Sequence, residues 1–106
     1  MQHEVNTFLG EIESVFPNFV AGIVCDRHGF PIASKMPRDF PIQENEMALT
    51  AIAGKREFIN DSRFVKVKRN LDQSKNVKLL ILLEKEKQNI NRFKALNRII
   101  ERQNLF

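Results

Sequence analysis

The sequence predicts an α+β protein, with one antiparallel sheet of about four to five strands sandwiched by helices. Two observations predict this class. Apolar residues recur every three or four positions near both ends of the chain, as on amphipathic helices, and two pairs of short strand-like segments are joined by polar turns, as in β-hairpins. Since 106 residues suffice for one hydrophobic core and not for two, we expect a single domain over residues 1–106.

The first segment, from Gln2 to Phe16, is predicted to form an amphipathic helix. Glutamates occupy its outer face, and Pro17 with Asn18 ends it. Its apolar residues follow one another at spacings of three and four and form a single stripe: Val5, Phe8, Leu9, Ile12, Val15 and Phe16.

A β-hairpin is predicted next. The apolar run from Phe19 to Cys25 is typical of a strand buried on both faces, and Gly22 within it indicates a close approach by another group. A polar turn then ends in Gly29, which suits a positive φ angle. The second strand, Phe30 to Lys35, contains Pro31 and is expected at an edge of the sheet, because proline has no amide hydrogen to donate.

After a loop with two prolines, the residues from Gln43 to Ile59 are predicted to form a helix. Its middle, Met47 to Gly54, is apolar almost all round, which is typical of a helix covered on more than one side. A chain of 106 residues has little material for a second cover, so a second subunit is one explanation of the pattern. The other explanation is that the first or the last helix packs over it.

A second hairpin and a final helix complete the order helix, strand, strand, helix, strand, strand, helix. Phe64 to Arg69 alternates between apolar residues and lysines, as in a half-exposed strand, and Val77 to Leu83 is apolar on both faces, as in a central strand. The last helix is predicted from Gln88 to Gln103, on the same face of the sheet as the first helix and opposite the middle one. Its buried stripe is expected to comprise Ile90, Phe93, Leu96, Ile99 and Ile100, and its outer face Lys94, Arg98, Glu101 and Arg102.

Charge is distributed unevenly along the chain. Residues 1–63 carry six basic and nine acidic side chains, whereas residues 64–106 carry eleven and four, a net charge of about +7. A basic half attracts nucleic acid, anionic lipid or an acidic partner, and it also fits the solvated faces of one strand and one helix. Nucleic acid is expected to be an unlikely partner because the chain has no Trp or Tyr for stacking, and Phe64 beside Lys66 and Lys68 is the one arrangement that would serve.

The composition also indicates a location. The longest apolar run, Leu79 to Leu83, is far shorter than the roughly 20 residues of a membrane span. The first 16 residues lack the pattern of a signal peptide, and one cysteine cannot form an intramolecular disulfide. We therefore expect a cytoplasmic protein without a transmembrane segment.

The residue patterns of enzymes are missing from the sequence. There is no glycine-rich phosphate loop, and neither His3 nor His28 has a second ligand at metal-binding spacing. Cys25 is expected inside a strand, where a thiol is usually inert, and a catalytic pair with His28 would require the two to face one another across the turn. We expect no enzymatic activity, no cofactor and no metal.

The stretch from Gly22 to Ser34 carries a resemblance. It reads GIVCDRHGFPIAS and resembles the hairpin of the roadblock family, the dynein light-chain type of small α/β protein. The matching residues are Asp26, Gly29, Pro31, Ile32, Ala33 and Ser34. Element order agrees over most of the chain, although family members usually have three strands after the middle helix where this sequence predicts two. The related longin and profilin-like folds share the same layout of sheet and helices.

The resemblance implies a non-catalytic adaptor or scaffold that forms a homodimer, or a heterodimer with a related roadblock-like subunit, and that binds and regulates or localises a small Ras-like GTPase. In such dimers the middle helices pair, and the strands that follow them join edge to edge. The implied contacts fall on Ala48, Ala51, Ile52, Lys55, Phe64, Val65, Lys66 and Val67. Two other functions stay open, a structural subunit of a larger complex and a basic protein associated with nucleic acid.

Overall fold

The computed structural model describes residues 2–54, 59, 61–86 and 90–106. Within them, three helices and four strands follow one another in the predicted order. The helices are α1 (Gln2–Val15), α2 (Glu44–Ile52) and α3 (Ile90–Arg102). The strands are β1 (Phe19–Asp26), β2 (Pro31–Lys35), β3 (Phe64–Asn70) and β4 (Val77–Glu84).

The four strands form one antiparallel sheet in the order β2-β1-β4-β3. The two central strands, β1 and β4, each contain five consecutive buried residues, as expected for strands covered on both faces. The edge position of β2 agrees with its proline, and β3 forms the other edge. The predicted α+β class is therefore confirmed, with four strands in the part of the chain that the structure describes.

Helices cover both faces of the sheet. On one face, α1 and α3 pack over alternate residues of the strands, among them Val67, Leu79 and Ile81. On the other face, α2 packs over the intervening residues, among them Ile23 and Leu80. This arrangement confirms the predicted layers, and it means that neither α1 nor α3 covers the outer side of α2.

Gly22 lies in β1 beneath α1. A Cβ atom at this position would stand 3.1 Å from Cζ of Phe19, which is a tight contact, and 3.5 Å from Cδ2 of Leu9, which is an ordinary one. The close approach expected from the sequence is therefore confirmed, and the Phe19 ring makes it.

The middle helix is shorter than predicted. It ends at Ile52, and Ala53 already has an extended conformation with φ −69° and ψ 139°. Ile59 is buried but lies outside the helix, and residues 55–58 of the predicted helix lie outside the described part. Two features oppose its continuation: Gly54, a poor helix former, follows Ala53, and the ammonium group of Lys68 donates a hydrogen bond of 2.9 Å to the carbonyl oxygen of Ala53.

The prediction for the last helix is wrong at one buried position. Ile90 was expected in the buried stripe but is 69% exposed, because it is the first residue of α3 and only Leu96 of this helix is fully buried. The expected start at Gln88 lies outside the described residues. The helix ends one residue early. There the side chain of Gln103 donates through Nε2 to the carbonyl of Leu71 and accepts through Oε1 from the backbone amide of Leu105.

Candidate protein-interaction surface

The turn between β1 and β2 is held by Asp26. Its Oδ1 atom accepts hydrogen bonds from the backbone amides of His28 and Phe30, at 2.9 and 3.0 Å. The backbone closes the loop as well, because the amide of Gly29 donates to the carbonyl of Asp26. Gly29 has a φ of 84°, the left-handed conformation that a three-residue hairpin loop needs at its last position. The Asp-x-x-Gly pattern therefore stabilises the turn itself.

These hydrogen bonds also act on the charge of the turn. The amide of Phe30, followed by that of His28, stabilises the carboxylate form, so the pKa of Asp26 is lowered from its ordinary value. The side chain is half-buried, and the two hydrogen bonds that lower its pKa also stabilise the loop.

The hairpin is tied to α2 at two points. The hydroxyl of Ser34 donates a short hydrogen bond to the carboxylate of Glu44, in the first turn of the helix. At the loop itself, a Cβ atom on Gly29 would stand 3.2 Å from Cδ1 of Ile52 and 3.8 Å from Cδ2 of Leu49. Glycine thus serves this position twice, since it allows both the positive φ angle and the contact with the helix.

This contact creates an apolar surface, defined here as the hairpin–α2 surface and formed by Leu49 and Ile52 beside the turn at Gly29. Leu49 is 39% exposed and Ile52 is half-buried, and Phe30, the residue after Gly29, is 67% exposed. Contiguous exposed apolar side chains are typical of binding surfaces, whereas single ones are ordinary. The sequence did not single out Leu49, because packing decides which side of α2 faces the sheet.

The residues of the implied dimer interface occupy several environments. Ala48 and Ala51 are buried against the sheet within the protomer, and Val65 and Val67 face the layer of α1 and α3. Ile52 belongs to the hairpin–α2 surface, and Lys55 lies outside the described residues. Phe64 and Lys66 lie on the α2 side of the edge strand, where Phe64 packs 5.8 Å from Phe40 between ring centroids and lies under the guanidinium of Arg63 at 5.2 Å.

The lysines of β3 do more than protect an edge. Lys66 donates to the carbonyl of Ile59 at 2.9 Å, and Lys68 donates to that of Ala53 at the same distance. Both ammonium groups thereby hold the chain that follows α2 against the sheet. The ring and both lysines of the arrangement that the sequence offered for base stacking thus each contact groups of the protein.

Cys25 and His28 do not form a pair. Cys25 lies under α2, and its Sγ atom donates to the carbonyl of Ala48 at 3.8 Å. Desolvation by burial, assisted by the negative charge of Asp26, raises the pKa of the thiol to about 11. His28 is exposed in the turn and accepts a hydrogen bond from Arg27. The thiol is thus protonated at neutral pH, as in a structural cysteine.

No group of three or more His, Cys, Asp or Glu side chains in residues 2–54, 59, 61–86 and 90–106 is arranged to hold a metal ion. No described helix combines the length and the apolar character that crossing a bilayer requires.

The fold and surface define a small α+β domain with an exposed apolar surface. Comparisons with models of protein families, with curated proteins and with solved structures found no match to this chain. The resemblance to the roadblock family therefore depends on the hairpin residues and on the order of the elements.

Proposed function

We propose that this chain is a non-catalytic module of the roadblock type, which dimerises through α2 and β3 and serves as an adaptor for a small Ras-like GTPase. The observation that carries the proposal is the environment of α2. This helix covers its face of the sheet alone among the described helices, and beside the hairpin turn it leaves Leu49 exposed and Ile52 half-buried. A second copy that packed on this side would bury apolar area now in contact with water.

The position of β3 supports the same arrangement. It is the end strand of the sheet next to β4, and strand pairing across an edge uses backbone groups, so it does not require Val65 or Val67 to leave the core. Helix pairing and strand pairing would together form one continuous interface. Addition of a strand to an exposed sheet edge is a recurring mode of association in which main-chain hydrogen bonds supply the affinity.

The dimer is tested by sedimentation velocity at tens of micromolar. We expect the wild-type chain to be dimeric and the variant Leu49→Asp to be monomeric, with an unchanged circular dichroism spectrum, because an unpaired charge is costly in an apolar contact. The matched control is Asn97→Asp on the exposed side of α3, which adds the same charge on the opposite layer and should leave the dimer intact. A wild-type chain that is strictly monomeric would overturn the dimer.

The client is tested by affinity capture from nuclease-treated lysate, with and without a non-hydrolysable GTP analogue. Support requires a small GTPase enriched in one nucleotide state and direct binding between the two purified proteins. Enrichment of a partner that is indifferent to GTP would favour a structural subunit instead.

One observation favours that second candidate. Lys94, Arg98 and Arg102 lie four residues apart on α3, so they share one side of the helix, and all three are exposed. None of them forms an ion pair within the described part of the chain. A ridge of unpaired cations is suited to an acidic partner surface, and binding through it would weaken steeply as salt is added.

A further inference from the structure

The outer edge of β3 presents the backbone groups of alternate residues. Two hydrogen bonds fix the phase of the β3–β4 ladder: the amide of Leu71 donates to the carbonyl of Val77 at 2.9 Å, and the amide of Lys85 donates to the carbonyl of Arg63 at 3.1 Å. Both pairs continue the register of the ladder, so the odd-numbered residues of β3 bond to β4. The amides and carbonyls of the even-numbered residues therefore point away from β4, towards the outer edge.

The carbonyl of Lys68 is one of these edge groups, and the side chain of Arg69 occupies it. The guanidinium donates through Nη1 to that oxygen at 2.8 Å. Arg69 stands between Val67 and Leu71 in the alternation of the strand, so its side chain starts on the face covered by α1 and α3 and reaches around the edge. Arg69 is half-buried, and no carboxylate in the part of the chain that the structure describes forms an ion pair with it.

This contact has a consequence for any strand that pairs with the edge. The incoming strand needs the carbonyl of Lys68 as an acceptor for one of its amides, so it competes with Arg69 for that oxygen. A displaced guanidinium stays charged, because arginine keeps its proton in proteins. A half-buried charged donor that loses its acceptor costs free energy unless the incoming strand supplies another. Carboxylate is the acceptor that best matches the parallel donors of a guanidinium.

A second copy of β3 does not supply that acceptor. The strand reads FVKVKRN, with three basic side chains and no acidic one. Antiparallel pairing of two such strands brings cations of one chain beside cations of the other, and like charges that face one another across a ladder are destabilising. Lysines on an edge strand are a common protection against pairing with copies of the same chain. Charge therefore favours a partner strand of different composition.

We propose that the β3 edge pairs with a strand that carries an aspartate or glutamate opposite Arg69, in preference to a second copy of this chain, and that Arg69 determines this specificity. Main-chain hydrogen bonds supply the affinity in such a pair, and the guanidinium selects the partner. The inference concerns the same edge as the proposed function and rests on the use of that edge for association. It names the chemistry of the preferred partner strand and leaves the position of the interface unchanged.

The test is a titration of the isotope-labelled protein with two synthetic peptides of seven residues, the length of β3. One peptide alternates valine with glutamate, and the other alternates valine with glutamine. We expect the glutamate peptide to bind about tenfold more tightly, because its hydrogen bond to Arg69 is charged on both sides. The backbone amides of Lys68 and Asn70 should exchange hydrogen more slowly in the complex, since they point to the outer edge. Added salt should reduce the difference between the peptides.

Three variants show whether Arg69 is the cause. Arg69→Gln should bind both peptides with equal affinity, and Arg69→Lys, which keeps the charge without the parallel donors, should show a smaller preference than the wild type. The matched control Arg98→Gln removes an arginine from the exposed side of α3 and should keep the full preference. Circular dichroism establishes that each variant is folded. Equal binding of the two peptides to the wild type, binding of neither, or a preference that survives in Arg69→Gln would overturn the proposal.

The outcome is separate from that of the dimer test. A chain that sediments as a monomer but prefers the glutamate peptide at Lys68 and Asn70 would contradict the proposed dimer and support the specificity of the edge. A dimer whose edge amides respond equally to both peptides would support the dimer and overturn the role of Arg69.

Discussion

On one face of the sheet, α1 and α3 bury a continuous apolar layer, and an edge-to-face contact between Phe16 and Phe93 connects that layer to the end of α1. On the other face, α2 has nine residues and leaves Leu49 exposed. The first face has the character of a closed core, whereas the second combines a core with an accessible apolar surface. Under the proposed function, stability and interaction would belong to opposite sides of one small sheet.

The two faces also differ in how they are closed. Apolar packing closes the first, including Leu96 of α3 and Leu9 of α1, which are both fully buried. On the second face, polar contacts at both ends of α2 are added to the apolar packing, since Lys68 donates to the carbonyl of Ala53 just after the helix and Ser34 donates to Glu44 in its first turn. Because this layer is a single short helix held at its ends by half-buried side chains, we expect the second face to open at lower cost than the first.

The largest expected effect comes from truncating one buried residue on each face. Leu9→Ala should lower the free energy of unfolding by about 3–4 kcal/mol, since the cavity is enclosed by α1, α3 and the sheet. Met47→Ala should cost about 2 kcal/mol, because the thinner α2 layer can move to fill the space.

Urea unfolding of both variants measures this difference. Both side chains are fully buried in the wild-type protein, so a difference in burial cannot explain a difference between the two losses in free energy of unfolding. A greater loss for Met47→Ala than for Leu9→Ala would show that α2 is held as rigidly as the other layer.

An intermediate effect is expected from two glycines, one on each face. Gly29→Ala forces a residue with a Cβ atom into a φ of 84° and against Ile52, and should cost about 1–2 kcal/mol. Gly22→Ala meets only a tight contact with the half-buried Phe19 ring, and the gain from a less flexible unfolded chain offsets part of it. We expect its net effect to be below about 1 kcal/mol.

Thermal and urea unfolding of Gly29→Ala and Gly22→Ala compare the cost of backbone strain at the turn with the cost of a crowded contact under α1. If Gly22→Ala proved the more harmful change, crowding under α1 would outweigh the backbone strain at the turn. Equal losses would indicate that the Phe19 ring cannot move.

The sequence predicted the strands well because the residues of each strand themselves reflect which of its faces are buried. Alternation of Val65 and Val67 with Lys66 and Lys68 reflects directly which side of β3 faces the first layer. The continuous apolar run of β4 likewise reflects a strand covered on both faces. Pro31 indicated an edge through its missing donor, and the sheet order agrees.

The sequence was less informative wherever distant residues decide the outcome. The chain that follows α2 is held by Lys68, which lies fifteen positions after Ala53 in the sequence. Helix propensities describe single residues and do not include such a contact. The exposure of Leu49 depends on which side of the helix packs on the sheet.

The smallest effect concerns the turn that connects the hairpin to α2. Asp26→Asn keeps an oxygen that can accept from the amides of His28 and Phe30 but removes the charge. Because these amides lower the pKa of Asp26 in the folded protein, ionisation stabilises the fold at pH values above the ordinary value of 3.8. That contribution is lost as the pH falls below 3.8 and through the lowered pKa.

The wild-type protein should therefore melt slightly above Asp26→Asn at pH 6, and the difference should shrink as the pH falls below 3.8. Asp61, whose pKa is lowered to about 2 by Arg63, is present in both proteins and cancels in the comparison. Asp26→Ala loses the acceptor as well and should melt below both at every pH. If the difference in melting temperature between wild type and Asp26→Asn stayed the same over the whole pH range, the charge of the carboxylate would not contribute to stability. The turn would then be held by its backbone hydrogen bonds, by Gly29 and by the acceptor oxygen at position 26.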